Sequence, residues 1–314
     1  MLVSSCVGSR SSGREPVRKS VVVTNIGGGA DESTASNADR RAVNKPLAAS
    51  YDTALLDLDG VVYRGADGVP HAVSSLMAAA DLGMRLAYVT NNASRTPEAV
   101  SEHLRELGLA VETTDVVTAA QAVARLIAEQ VPRGARVLVI GGEGLRQALL
   151  GHGLALVSSA DDDPAAVVQG YLPDTSWKDL AEAAYAIERG VPWFAANTDR
   201  TMPTARGIAP GNGALVGAVA AATGTWPTVA GKPEPALHRE SVLRTGARRP
   251  LVVGDRLDTD IEGANRVGVD SLLVLTGVTR LEQLRDAPKE HWPTYVAADL
   301  RGLIEPERLV DWRG

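Results

Sequence analysis

Scarcities narrow the field first. The 314 residues contain one cysteine, Cys6, so no internal disulfide can staple the fold. That fits a reducing compartment, and a cytoplasmic protein is expected. No apolar run reaches the roughly 18 residues needed to cross a bilayer, so no membrane span is expected. Basic charge is not in excess: the formal net charge of −6 argues against a nucleic-acid groove and is compatible with a site built from carboxylates. The five histidines, at positions 71, 103, 152, 238 and 291, are scattered. None are paired at metal-ligand spacing, which excludes a histidine-built zinc site and reads each as a surface or capping residue. Aromatic residues make up only 4% of the chain, which leaves few partners for stacking on a ligand ring.

With 45% hydrophobic and 22% charged residues, the chain has the bulk for a core and for one large or two moderate domains. Residues 1–50 stand apart. They are rich in Ser, Arg, Asn, Asp and Gly, with only Val21-Val22-Val23 as an apolar run, and read as a disordered tail. Gly27-Gly28-Gly29 lacks a framing strand and helix and reads as linker. Val43 is an alternative start if the gene uses a GTG codon.

From Tyr51 onward strand and helix signals alternate. Strands are expected at 53–56, 86–89, 137–140, 167–168, 193–195, 251–253 and 272–275. Helices are expected over 72–82, from Pro97 behind a Thr96 cap, over 176–189 and over 214–222. This alternation implies a doubly wound, mostly parallel α/β sheet.

In such sheets ligands gather at the carboxyl ends of strands. Three expected strand ends carry polar groups: Asp57-Leu58-Asp59-Gly60, Thr90-Asn91-Asn92, and Gly254-Asp255 followed by Thr259-Asp260. Gly231-Lys232-Pro233 lies between the last two. A single strand-end aspartate is as easily a turn cap. Asp57, Asp59 and Asp255 converging on one point would repel one another, and the hard oxygen set this makes suits Mg²⁺.

In this order the four motifs resemble the haloacid-dehalogenase superfamily phosphatases. The resemblance covers residues 52–280. Asp57-Leu58-Asp59-Gly60-Val61-Val62-Tyr63 and Val89-Thr90-Asn91-Asn92-Ala93-Ser94 are similar to the branch with 4-nitrophenyl phosphate, pyridoxal phosphate and nucleotide phosphatases. That branch implies a Rossmann-like core interrupted by an inserted α/β cap. The expected division is core over 51–132, cap over 133–227 and core again over 228–314. The resemblance also implies roles. Asp57 attacks phosphorus and forms an aspartyl-phosphate, and Asp59 protonates the leaving oxygen and then activates water. Mg²⁺ is held by Asp57, the Asp59 carbonyl and Asp255. Lys232, Thr90, Asn91 and Asn92 bind phosphate, and Asp260 orients Lys232 or a metal-bound water.

The substrate-contacting loop of the cap is expected at Asp199, Arg200, Thr201, Met202 and Pro203. Its lack of aromatics favours a small polyol phosphate, and the chain is similar to bacterial glycerol 3-phosphate phosphatases. Pyridoxal phosphate or a nucleotide monophosphate is the alternative substrate. A phosphoacceptor receiver, or a silent binding protein on the same fold, is the non-enzyme alternative. The partner implied is a small phosphorylated metabolite, not a nucleic acid or a membrane. The resemblance leaves a homodimer open.

Overall fold

Thr53-Ala54-Leu55-Leu56 is buried at every position, as a strand covered on both faces must be. It begins a chain of alternating elements. The computed structural model describes residues 45–204 and 206–312. In order they form α1 (Leu47–Ser50), β1 (Thr53–Leu56), β2 (Tyr63–Arg64), β3 (Asp67–Gly68), α2 (Ala72–Asp81), β4 (Arg85–Thr90), α3 (Pro97–Glu106), β5 (Val116–Thr118) and α4 (Ala119–Ala128). A middle stretch follows, with β6 (Arg136–Ile140), α5 (Glu143–Gly151), β7 (Ala155–Val157), β8 (Ala166–Gln169), α6 (Trp177–Glu188), β9 (Trp193–Ala195), β10 (Thr201–Thr204), β11 (Gly207–Pro210), α7 (Asn212–Thr223) and β12 (Thr228–Val229). The last stretch holds α8 (Pro235–Thr245), β13 (Pro250–Gly254), α9 (Glu262–Val267), β14 (Asp270–Val274) and β15 (Tyr295–Ala297).

Two parallel sheets result. The first has six strands in the order β15-β14-β13-β1-β4-β5, every pair parallel. From β1 the chain winds outward through β4 and β5, then returns to lay β13, β14 and β15 on the other side. The direction of winding therefore reverses between β1 and β13, and a crevice opens there at the carboxyl ends of the strands. The second sheet has five parallel strands, β12-β9-β8-β6-β7, and is inserted between β5 and β13. The fold is thus a doubly wound α/β core with an inserted α/β unit.

Local signals explain the boundaries of the helices. Thr96 accepts a hydrogen bond from Ala99 N–H at 3.3 Å and Pro97 opens α3, whose Val100 and Leu104 are buried. Thr118 and Gln121 form a reciprocal capping box at the start of α4. Helix α4 is apolar enough to serve both sheets. Its Ala120, Val123, Ala124 and Ile127 join one buried cluster with Leu55, Ala87 and Val252 of the first sheet and Val137, Val168 and Phe194 of the second. Each fully buried Leu or Val there contributes about 1.5–3 kcal/mol.

Two expected boundaries shift. Residues 47–50 are helical, not part of a tail: Leu47 and Ala48 are 1% and 2% exposed because they pack into the first-sheet core. Residues 1–44 of that expected tail lie outside the described residues. Thr228 and Val229 pair with Phe194 and Ala195, so the second sheet runs past residue 227. Gly141 and Gly142 link β6 to α5, and Glu143 and Gly144 open the helix. A Cβ on Gly144 would lie 2.2 Å from the Arg95 carbonyl oxygen, so glycine there permits close approach of α5 to the loop after β4. Among the described residues no helix is long and apolar enough to cross a membrane.

Candidate active site

Strand β1 ends at Leu56, and the Asp57 N–H bonds the Val253 carbonyl of β13 at 2.8 Å. This pins Asp57 at the crevice where the winding reverses. Asp255 follows β13 on the other side of the same crevice. A five-residue π-type turn, Leu257–Ile261, then carries Asp260 back beneath Gly254. A Cβ on Gly254 would lie 2.2 Å from the Asp260 Cβ, so glycine leaves the room that this return needs. Carboxylate oxygens of Asp57, Asp255 and Asp260 all lie within 4.8 Å of one another.

Lys232 reaches this cluster from the loop before α8. Its ammonium lies 2.5 Å from Asp57 Oδ1 and 2.6 Å from Asp260 Oδ1, and its side chain is only 3% exposed. Burial works against the charge on Lys232, but Asp260 and Asp57 outweigh it and the net shift is upward. Asp57 is pushed well above the usual carboxylate range by burial; Lys232 opposes the shift and Asp260 and Asp255 add to it. Asp255 is pushed up to about 6 by burial and by Asp260, against the Val278 N–H that bonds its Oδ2 at 2.6 Å. Its Oδ1 is buried with no protein partner among the described residues. One lysine facing three carboxylates, with a carboxylate oxygen left bare, is a donor set that fits a hard divalent cation.

Asp59 lies outside the three-carboxylate cluster. Its carboxyl is also pushed up, by loss of surrounding water, against opposing effects from Arg95, His103 and Lys232. Thr90 ends β4. Its Oγ1 accepts the Asn92 N–H at 3.1 Å, which leaves the hydroxyl hydrogen free to donate. The Asn92 Oδ1 accepts from Ser94 N–H, Ser94 Oγ and Arg95 N–H, closing a local turn, and its amide nitrogen has no partner among the described residues. Asn91 is engaged elsewhere. Its side-chain amide hydrogens go to the Lys232 carbonyl and the Asp199 carboxylate, so a phosphate contact from Asn91 falls to its backbone N–H.

These groups line a cavity of about 470 Å³ that opens between the ends of the two sheets. From the expected contact loop, Asp199, Thr201 and Met202 line it. Arg200 does not: it is exposed outside, because the loop turns into the β10–β11 hairpin there. The side chain of Pro203 lies outside the described residues. Burial raises the Asp199 carboxyl, against Arg256 and the Asn91 amide. Tyr171 and Arg64 also line the cavity and carried no motif signal in the sequence, while Arg256 lines it from within the motif that follows Gly254. Tyr171 follows β8 and Arg64 sits on a two-residue strand. Tyr171 also gives the cavity an aromatic that the loop itself lacks.

A doubly wound core, an inserted α/β unit and acidic groups with a buried lysine at the switch crevice define a class. Family models agree. Residues 54–155 match the haloacid dehalogenase-like hydrolase model and residues 229–303 match a HAD-hydrolase-like model. The chain belongs to the haloacid dehalogenase-like hydrolase family. It is 49% identical over 266 residues to the D-glycerol 3-phosphate phosphatase of Mycobacterium tuberculosis, covering 85% of this chain and 74% of that one. It is 38% identical over 256 residues to an acid sugar phosphatase of Staphylococcus aureus, covering 81% and 97%. A crystal structure of a glycerol phosphate phosphatase from M. tuberculosis in complex with magnesium is similar with a TM-score of 0.80 at 50% identity, covering 83% and 78%.

Proposed function

We propose that the protein is a Mg²⁺-dependent phosphatase of small phosphate monoesters, with glycerol 3-phosphate as its substrate. The observation that carries this reading is the meeting of Asp57, Asp255 and Asp260 within 4.8 Å, with the Lys232 ammonium against two of them. The inserted second sheet, taken as residues 133–229, serves as the cap that walls the leaving-group side of the cavity.

Phosphoryl transfer needs charge neutralisation and alignment. Mg²⁺ would be held by Asp57, the bare oxygen of Asp255 and the Asp59 carbonyl, and when bound it neutralises phosphate charge. Asp57 Oδ2, the oxygen not taken by Lys232, attacks phosphorus, and the ester P–O bond breaks as the aspartyl-phosphate forms. Asp59 gives a proton to the leaving oxygen, and the loss of surrounding water that raises its carboxyl favours that acid form. It then takes a proton from the water that hydrolyses the acyl phosphate. The Thr90 hydroxyl and the Asn92 amide donate to phosphate oxygens. Lys232 offsets their charge and is held for that by Asp260. Asp199, Thr201, Met202 and Tyr171 face the leaving group.

Glycerol 3-phosphate rests on the small cavity, the polar loop and the relatives' activities. Tyr171 favours a second reading, an aromatic leaving group such as pyridoxal. Purified protein with Mg²⁺ should turn over glycerol 3-phosphate with a higher kcat/KM than pyridoxal phosphate or UMP. The reverse ranking would overturn the substrate, and no turnover of any monoester would overturn the enzyme.

A further inference from the structure

The residue after Thr90 does work that phosphate contact does not explain. Asn91 Oδ1 accepts the backbone N–H of Lys232 at 2.8 Å, and Asn91 Nδ2 donates to the Lys232 carbonyl at 3.2 Å. The side chain thus pairs with both backbone groups of one residue, as a neighbouring strand would. The same Nδ2 reaches the two Asp199 carboxylate oxygens at 3.4 and 3.3 Å. The Asn91 carbonyl accepts from the Asn197 amide at 2.7 Å, and Asn212, from the start of α7, holds the Asn197 carbonyl at 2.7 Å. Asn197 and Asn212 are 4% and 1% exposed, so water cannot substitute for these bonds.

The surroundings leave no slack. A Cβ on Gly231 would lie 2.6 Å from the Ala196 carbonyl oxygen and 2.8 Å from Asn91 Oδ1. A Cβ on Gly213 would lie 2.1 Å from the Thr198 carbonyl oxygen. Three segments far apart in sequence therefore meet backbone to backbone around one amide: the end of β4, the loop after β9, and the loop before α8. Beyond Lys232 the line continues, because its ammonium contacts Asp57 and Asp260.

We propose that Asn91 is a positioning residue that couples the leaving-group wall to the phosphate site, holding Lys232 through its backbone while docking Asp199 of the inserted unit onto the core. The coupling rests on the phosphatase reading for its meaning, but the contact itself does not. Asn91 supplies an acceptor to one side and donors to two others. A carboxylate at 91 keeps the acceptor, loses the donors, and faces Asp199 with like charge. An amide at 199 then restores the bond to 199 with donor and acceptor exchanged, at the original net charge.

The test is inorganic phosphate binding by calorimetry, on the full chain with Mg²⁺, because phosphate has no leaving group with which to touch Asp199. Asn91→Asp should weaken binding by about tenfold or more. Adding Asp199→Asn should recover about threefold or more of that loss, with the lost bond to the Lys232 carbonyl keeping it short of the wild type, whereas adding Asp199→Ala, which relieves charge but supplies no donor, should recover less. Equal recovery with both, or with neither, overturns the coupling. If Asn91→Asp does not fold, thermal unfolding of the two double variants gives the same comparison, and a double variant that fails to fold counts as no recovery. Absence of turnover in the wild type would sink the phosphatase reading and leave this measurement standing.

Discussion

The two parallel sheets are wound alike and equipped differently. Each reverses its winding between two central strands, β1 and β13 in the first, β6 and β8 in the second. In the first sheet those strands are followed by Asp57 and Asp255. In the second they are followed by Gly141 and Gly170, neither of which carries a side chain. A Cβ on Gly141 or Gly170 would lie 2.6 or 3.1 Å from the Leu145 side chain of α5, so packing of that leucine takes the room between these strand ends. The same topology thus provides a site in one unit and a contact in the other. What separates them is whether strand ends carry charge that a buried lysine and a cation can balance.

The sharpest way to test that division is to remove charge from the first sheet alone. Asp57→Asn should lower turnover of 4-nitrophenyl phosphate by about 10⁴-fold or more without unfolding the protein, read by steady-state kinetics beside a melting curve. A residual rate within tenfold of the wild type would move the nucleophile elsewhere.

The complementary change opens a cavity in the core that the two sheets share. Phe194 is 2% exposed in the cluster shared by both sheets, and Phe194→Ala should cost about 3–5 kcal/mol in urea unfolding. A single transition that shifts as a whole would show that the two units unfold together. Two transitions would separate them.

A smaller effect distinguishes the core helices by pH. His238 on α8 is 1% exposed, neither ring nitrogen has a partner among the described residues, and burial pushes it down to about 4. Below pH 6.5 the unfolded chain binds a proton there that the native state refuses. Stability should therefore fall as pH drops from about 6.5 toward 4, by on the order of 3 kcal/mol from this residue. His238→Leu should flatten that part of the profile, and an unchanged slope would assign the acid sensitivity to other groups.

The smallest effect lies at the cavity wall. Met202→Ala should raise KM for glycerol 3-phosphate by about tenfold or less, with kcat nearly unchanged, because it removes apolar contact made equally before and during the reaction. A fall in kcat alone would place Met202 in alignment.

Legibility followed burial and sequence distance. β1, β4, β6 and β13 were legible because strands buried on both faces read as short apolar runs. β7 and β15 were not: each is three residues long and partly exposed, and β5 was masked by the helix that follows it directly. The β10–β11 hairpin read as loop because it is mostly exposed and carries prolines. The acidic groups at strand ends were legible as residue types. The engagement of Asn91 was not, since its partners lie 108 and 141 residues away and an amide looks the same whether it meets phosphate or protein.

The sequence by itself determined the class of this protein. Period, caps and strand-end carboxylates are local properties, and local properties survive translation into a string of letters. The tertiary structure alone decided which oxygen of Asp255 stays bare, that Asp260 and Asp57 share one ammonium, and that Asn91 faces Lys232 and Asp199. Those outcomes depend on competition among hydrogen-bonding groups from distant segments, and only folding brings the competitors within reach.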